Sequence, residues 1–420
     1  MQLRKYLMVG WALVIWASVS AFADDLQRIL PEEAGFSSAK LAQVKPVIQA
    51  MLDKKETAGV VTIVARHGKI VYLEAMGMMD IDAGKPMRAD TIFRIYSMSK
   101  PVTTVAAMML WEEGRFQLDD PISKYLPEFK TVRVHAGNGT ETVEAKREIT
   151  IRDLMRHTSG LTYGFFGNSP VDKIYLENKV LRDPNDGLAE LVRKLSKLPL
   201  VYQPGTHFNY SVSTDVLGRL IEVVSGKRLD EFFQERIFGP LDMKDTGFFV
   251  PQDKLSRFSA CYGPGDGGAL KVTDEPAKSR YLKQPKLLSG GGGLVSTARD
   301  YSRFCQMMLQ GGELQGTRLL RKETVQQMTT NQLPDEAMPI SLAGAPRPGV
   351  GFGLGFSVRV APNNGQPDLL GEYGWGGAAS THFWISPKRD LVVVALQQYM
   401  PFHQRLETVI KPIIYEAITD

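Results

Sequence analysis

Strand-forming segments lie near both ends of this chain and are sparse in its middle. Residues 60–65 and 70–75 are runs rich in β-branched side chains around His67-Gly68-Lys69, which predicts a hairpin. Residues 381–385 and 391–397 flank Ser386-Pro387-Lys388-Arg389-Asp390 and predict a second hairpin, with a further strand at 352–360. Between them, residues 116–285 carry short helical patterns (151–157, 187–195, 214–225, 229–237) separated by polar loops with Gly and Pro. Ser37 and Ser38 can cap a helix over 39–55, and 403–418 reads as a closing amphipathic helix despite Pro412. The expected class is α+β: an antiparallel sheet built from both chain ends and flanked by helices, with a mostly helical insertion. The corresponding domain limits are 24–115 with 286–420 for the discontinuous α/β part, and 116–285 for the insertion.

The chain has 420 residues, 43% hydrophobic and 23% charged, which argues against disorder, collagen-like repeats and coiled coil. A chain of this length supplies a large core without a disulfide scaffold. The net charge is only +4, Arg4 and Lys5 contribute two of those charges, and no Lys/Arg cluster stands out elsewhere, so no nucleic-acid partner is expected. Arg4 and Lys5, the apolar stretch 7–19 and the small-x-small pattern Ala21-Phe22-Ala23 form an export signal. The stretch is short for a membrane span. Cleavage after Ala23 is expected, giving a periplasmic or secreted protein without stable membrane insertion; an uncleaved anchor is the alternative. The first cysteine is Cys261, so none lies at the cleavage position for lipid attachment. Cys261 and Cys305 read as buried free thiols rather than a pair. The six histidines show no ligand spacing, and neither a metal nor another cofactor is expected.

The sharpest local signal is Ser97-Met98-Ser99-Lys100 at the start of a helical pattern that runs to Glu113. Residues three apart share a helix face, which puts the Ser97 hydroxyl beside the Lys100 amine. A serine hydroxyl needs an adjacent proton acceptor to become a nucleophile, and a partly desolvated lysine can be one. The helix N-terminus would also place an N–H and a partial positive charge beside an attacked carbonyl. Taken alone, this motif, which occurs often by chance, more readily fits an N-cap serine and a solvated lysine. The run Gly290–Gly293 lacks the Gly-Lys-Ser/Thr of a phosphate loop and reads as a tight-turn or close-packing element, followed by a helix capped by Ser296 or Thr297 with Asp300 in its first turn. His157 reads as structural in its turn and His382 as a strand residue. No G-x-S-x-G elbow competes with Ser97.

Further motifs follow in order: His157-Thr158-Ser159-Gly160-Leu161, Pro204-Gly205-Thr206-His207-Phe208-Asn209-Tyr210-Ser211, Ser289 to Leu294 with Val295-Ser296-Thr297, and Tyr373-Gly374-Trp375-Gly376-Gly377-Ala378. As an ordered set they resemble the serine hydrolases of the penicillin-binding-protein and class C β-lactamase superfamily, over residues 59–394. The resemblance implies a β-lactamase/transpeptidase-like fold, Ser97 as nucleophile, and Lys100 and Tyr210 as the acid/base pair. It implies an oxyanion hole from the backbone N–H groups of Ser97 and Ala378, and it lays the family's Lys-Thr-Gly motif on Trp375, Gly376 and Gly377. Two positions depart from the pattern. Val212 stands where Tyr-x-Asn has its asparagine, and Trp375 where Lys-Thr-Gly has its lysine. Those polar groups help hold a lactam or peptide substrate and its carboxylate, so the departures look like the family VIII carboxylesterase branch, acting on a small-molecule ester. The competing readings are a β-lactamase or D-amino-acid peptidase, an acyltransferase, and a non-catalytic cell-envelope binding protein. The oligomeric state is open at this level.

Overall fold

The structure is a computed structural model that describes residues 27–137, 139, 141–362 and 369–420. The export signal and its cleavage position after Ala23 lie outside the described residues.

One eight-stranded sheet organises the molecule. Its strands, in chain order, are β1 (Gly59–Arg66), β2 (Lys69–Asp80), β3 (Lys85–Pro86), β4 (Val350–Phe352), β5 (Ser357–Arg359), β6 (Tyr373–Gly377), β7 (Thr381–Ser386) and β8 (Leu391–Gln397). Across the sheet they run β4-β5-β6-β7-β8-β1-β2-β3, each pair antiparallel. The two chain ends meet in the middle, where β1 pairs with β8 from Val60↔Gln397 to Arg66↔Leu391. His67 (φ 52°) and Gly68 (φ 71°) both take the left-handed conformation, the two-residue turn that matches strand twist in a tight hairpin.

Both faces of the sheet are covered. Val60, Val64, Val393, Ala395 and Trp384 pack against helices α1 (Val44–Asp53) and, at the C-terminus, Arg405–Glu416. Val61, Ile63, Val392, Val394 and Phe383 join the larger core on the opposite face. That core holds helices α2 (Ser99–Glu112), α3 (Ser213–Ser225) and α4 (Ala298–Leu309); Arg405–Glu416 is α5. Double coverage explains why every residue of β1 is buried and why its sequence shows no polar alternation. Each fully buried Val, Ile or Leu contributes about 1.5–3 kcal/mol of transfer free energy. Helix α2 is buried from Ser99 to Leu110 and packs on α3.

Four segments differ from the sequence expectation. The helix expected over 39–55 is two helices, Ser38–Leu41 and α1, with Ser37 capping the first through a bond from Lys40 N (3.3 Å). Pro46 explains the break: it has no N–H to continue the first helix and is tolerated only in the first turn of the next. The strand expected over 352–360 is the hairpin β4–β5. Gly353 and Gly355 reverse the chain between them: a Cβ on Gly353 would lie 2.0 Å from Met328 O, and Gly355 has φ +86°. The helix at 151–157 is Ile151–Met155, stopped by His157 at φ 57°. The helix at 229–237 is Leu229–Phe233, continued by a π-turn over Gln234–Phe238. Cys261 and Cys305 are buried free thiols. Among the described residues, no helix is long and apolar enough to cross a membrane.

Candidate active site

Ser97 sits in a single 3-10 turn, Tyr96–Met98, that leads into α2. Tyr96 has φ 41°, a conformation that costs a non-glycine residue on the order of 1–3 kcal/mol and persists only where surroundings enforce it. Those surroundings are visible. The Ser99 hydroxyl donates to Tyr96 O (2.6 Å) and accepts from Leu294 N (3.1 Å). The Tyr301 hydroxyl donates to Met98 O (2.8 Å). Ser97 itself remains partly exposed while Met98, Ser99 and Lys100 are buried.

The Lys100 side chain is fully buried. Its Nζ donates to Ser97 Oγ (3.2 Å) and to Gly291 O (2.6 Å), and lies over the rings of Tyr210 (4.5 Å to the centroid) and Tyr163 (5.4 Å). A buried amine requires such partners. The glycine run is a close-packing element. A Cβ on Gly290 would lie 2.8 Å from Thr214 O, and one on Gly291 would lie 2.5 Å from Asp215 Oδ2. Thr297 caps the helix that follows, accepting from Asp300 N.

Two loops laced together hold Tyr210. Gly205 N donates to Thr158 O (2.7 Å), Asn209 N to His157 O (2.8 Å) and Asn209 Nδ2 to Leu161 O (2.7 Å). The tyrosine ring then packs on His157 (4.9 Å), Tyr163 (5.4 Å), Phe166 (5.7 Å) and Trp375 (5.3 Å). Its hydroxyl accepts from Trp375 Nε1 at 3.3 Å. Burial, aided by the Lys100 charge, pushes His157 well below the ordinary histidine range, so it is neutral and serves as packing. His382 faces α5, where its Nδ1 is 3.2 Å from Glu407 Oε2.

Strand β6 brings Trp375, Gly376 and Gly377 against the Ser97 turn. The approach excludes side chains: a Cβ on Gly377 would lie 2.2 Å from Ile95 O, and one on Gly376 would lie 3.0 Å from the Phe402 ring. Ala378 follows at the strand end and, like Ser97, Tyr210 and Gly376, is partly exposed. Val212 is fully buried as the residue preceding α3.

Sequence reasoning misses Asp215, Tyr163 and Phe166. Asp215 is buried in the first turn of α3; its Oδ1 accepts from Ser289 Oγ and from Gly291 N (3.2 Å). Burial raises its pKa, against the lowering effects of the Ser289 bond and the Lys100 charge. Asp215 stands among apolar α3 positions, and a first-turn acid is ordinarily read as dipole complement.

Residues 44–411 match the beta-lactamase family. The chain belongs to the beta-lactamase family. Within it, Esterase EstB of Burkholderia gladioli is 30% identical over 389 residues, covering 87% of this chain and 92% of that protein. Protein Rv1367c of Mycobacterium tuberculosis is 39% identical over 364 residues, covering 84% and 89%. The solved structure of EstCE1, described as a hydrolase with promiscuous acyltransferase activity, superposes with a TM-score of 0.75 at 28% identity, covering 91% of this chain and 99% of that one. The fold is the β-lactamase/transpeptidase-like one, as the motif order implied. This beta-lactamase-family chain is a serine hydrolase, and its likeness runs to carboxylesterases.

Proposed function

We propose that the protein is an exported carboxylesterase that works through an acyl-enzyme on Ser97. The observation that carries this reading is the placement of Lys100 Nζ, 3.2 Å from Ser97 Oγ and anchored at 2.6 Å to Gly291 O. Ser97 Oγ attacks the ester carbonyl carbon. Its proton passes to the Lys100–Tyr210 pair, which returns one to the departing alcohol oxygen. The N–H groups of Ser97 and Ala378 are suited to receive the developing oxyanion. Water then attacks the acyl carbon and gives a proton to the pair, which returns one to Ser97 Oγ as the bond to the acid breaks.

An ester rather than a lactam fits the rest of the site. Trp375 supplies a neutral indole N–H where the penicillin-recognising pattern has an ammonium, and Val212 supplies no amide. Each lost charge-assisted hydrogen bond weakens binding of an acidic substrate by roughly 1.5–3 kcal/mol. The relative named as an esterase supports the same choice. The segment with Arg4, Lys5 and Ala21-Phe22-Ala23 supports export. A panel of nitrophenyl esters of increasing chain length, run beside nitrocefin on one preparation, tests the reading. A higher kcat/KM for nitrocefin than for nitrophenyl butyrate overturns it.

Acyl transfer is the second reading. Phe166, Tyr163, Trp375 and Phe352 surround Tyr210 or Trp375 with aromatic surface, which favours an apolar alcohol over water at the acyl-enzyme. EstCE1 is described as having such an activity. Added butanol diverting nitrophenyl butyrate into butyl butyrate supports it; free acid as the sole product excludes it.

A further inference from the structure

We propose that Asp215 is a positioning residue for the reaction: its carboxylate holds the glycine turn that fixes Lys100 against Ser97. The inference rests on the reading of Lys100 as a proton carrier.

The geometry is a relay of four groups. Asp215 Oδ1 accepts from the Ser289 hydroxyl and from Gly291 N (3.2 Å). The carbonyl of the same Gly291 accepts from Lys100 Nζ (2.6 Å), and Nζ reaches Ser97 Oγ (3.2 Å). Thr103 Oγ1 donates to Gly290 O (2.7 Å), so α2 grips the turn from the other side. The turn fits only without side chains, since a Cβ on Gly291 would fall 2.5 Å from Asp215 Oδ2 and 3.2 Å from the Tyr163 hydroxyl. Asp215 Oδ2 is buried with no hydrogen-bond partner among the described residues. A buried carboxylate with one oxygen unpartnered is destabilising on its own, and a cation nearby offsets it.

The groups facing Lys100 come from every element around it. Its own turn offers Ser97, and the segment before α3 offers Tyr210. The His157–Tyr163 loop offers neutral His157 and Tyr163, and the glycine turn offers the Gly291 carbonyl. Asp215 is the carboxylate of this set, and its charge and that of Lys100 act on one another.

The test is the split between kcat and KM for nitrophenyl butyrate in Asp215→Ala and in Asp215→Asn, the second of which keeps an acceptor for Ser289 and Gly291. Asp215→Ala frees the turn and should lower kcat at least tenfold with KM little changed, and Asp215→Asn should recover most of that loss. Ser289→Ala, at a partly exposed position, removes one bond to Asp215 Oδ1 and should lower kcat by less. A kcat for Asp215→Ala that matches wild type, or a loss that Asp215→Asn does not recover, overturns the proposal. Lys100→Ala separates the two layers. If it abolishes turnover while Asp215→Ala keeps the wild-type kcat, the role of Asp215 fails alone; if Lys100→Ala keeps the rate, the reading of Lys100 fails and this proposal with it.

Discussion

The indole Nε1 of Trp375 donates a hydrogen bond to the hydroxyl of Tyr210 at 3.3 Å. The bond joins the strand lying along the Ser97 turn to the loop that precedes α3. It occupies an acceptor position on the tyrosine oxygen and leaves its own proton free to be given to a reacting group. Trp375→Phe keeps the apolar wall and deletes the donor. It should lower kcat/KM for nitrophenyl butyrate by roughly two- to tenfold, the worth of one net hydrogen bond of about 0.5–1.5 kcal/mol. An unchanged value would show the bond to be incidental to turnover.

Lys100 and Tyr210 touch through the amine and the ring face rather than through a hydrogen bond between their polar atoms. If they nevertheless act as one proton-transfer unit, Lys100→Ala and Tyr210→Phe should each lose about 10²- to 10⁴-fold in kcat, and the double variant far less than the product. Steady-state rates of the three variants decide it; fully multiplicative losses would show independent roles.

Ser99 has a structural duty. Its hydroxyl bridges Tyr96 O and Leu294 N in a fully buried position. Ser99→Ala leaves both without that partner and should destabilise the fold by about 1–3 kcal/mol, while the activity of the folded fraction falls far less than in Ser97→Ala. Urea unfolding and activity per folded molecule, measured together, separate the two effects.

Asp300, in the first turn of α4, is pushed up to about 6 by burial, partly offset by bonds from Asp245 N and the Thr246 hydroxyl. A raised carboxylate pKa means that the native state binds its proton more tightly than the unfolded chain. Stability linked to this group is therefore full below pH 4 and is lost as pH rises through about 6. Relative to Asp300→Asn, the wild type should lose up to about 3 kcal/mol between these limits. Denaturation curves of both proteins at pH 4 and pH 7 give the difference, and parallel pH dependences would contradict it.

What the chain discloses without a structure follows the range of the interactions. Hairpins such as 59–80 announce themselves through β-branched runs and the His67-Gly68 turn, all local features. Ser97, Lys100 and Tyr210 stand in short motifs whose order along the chain carries the resemblance. Asp215 is illegible because its importance depends on Ser289 and Gly291, remote in sequence and brought beside it only by the packing of α2 and α3. The reversal at Gly353–Gly355 is hidden for the same reason: the crowding that requires glycine comes from Met328 and Thr104. The break before α1 is legible in the sequence through Pro46.

The central claim is that Ser97 Oγ is the nucleophile of an ester-cleaving site, and a covalent label tests it most directly. The purified protein would be treated with a fluorophosphonate, digested, and the modified peptide sequenced by mass spectrometry while residual nitrophenyl butyrate hydrolysis is followed. The expected result is one adduct per chain, on Ser97, formed in step with loss of activity and absent in Ser97→Ala. An adduct on another residue, or full ester hydrolysis by Ser97→Ala, would contradict the account.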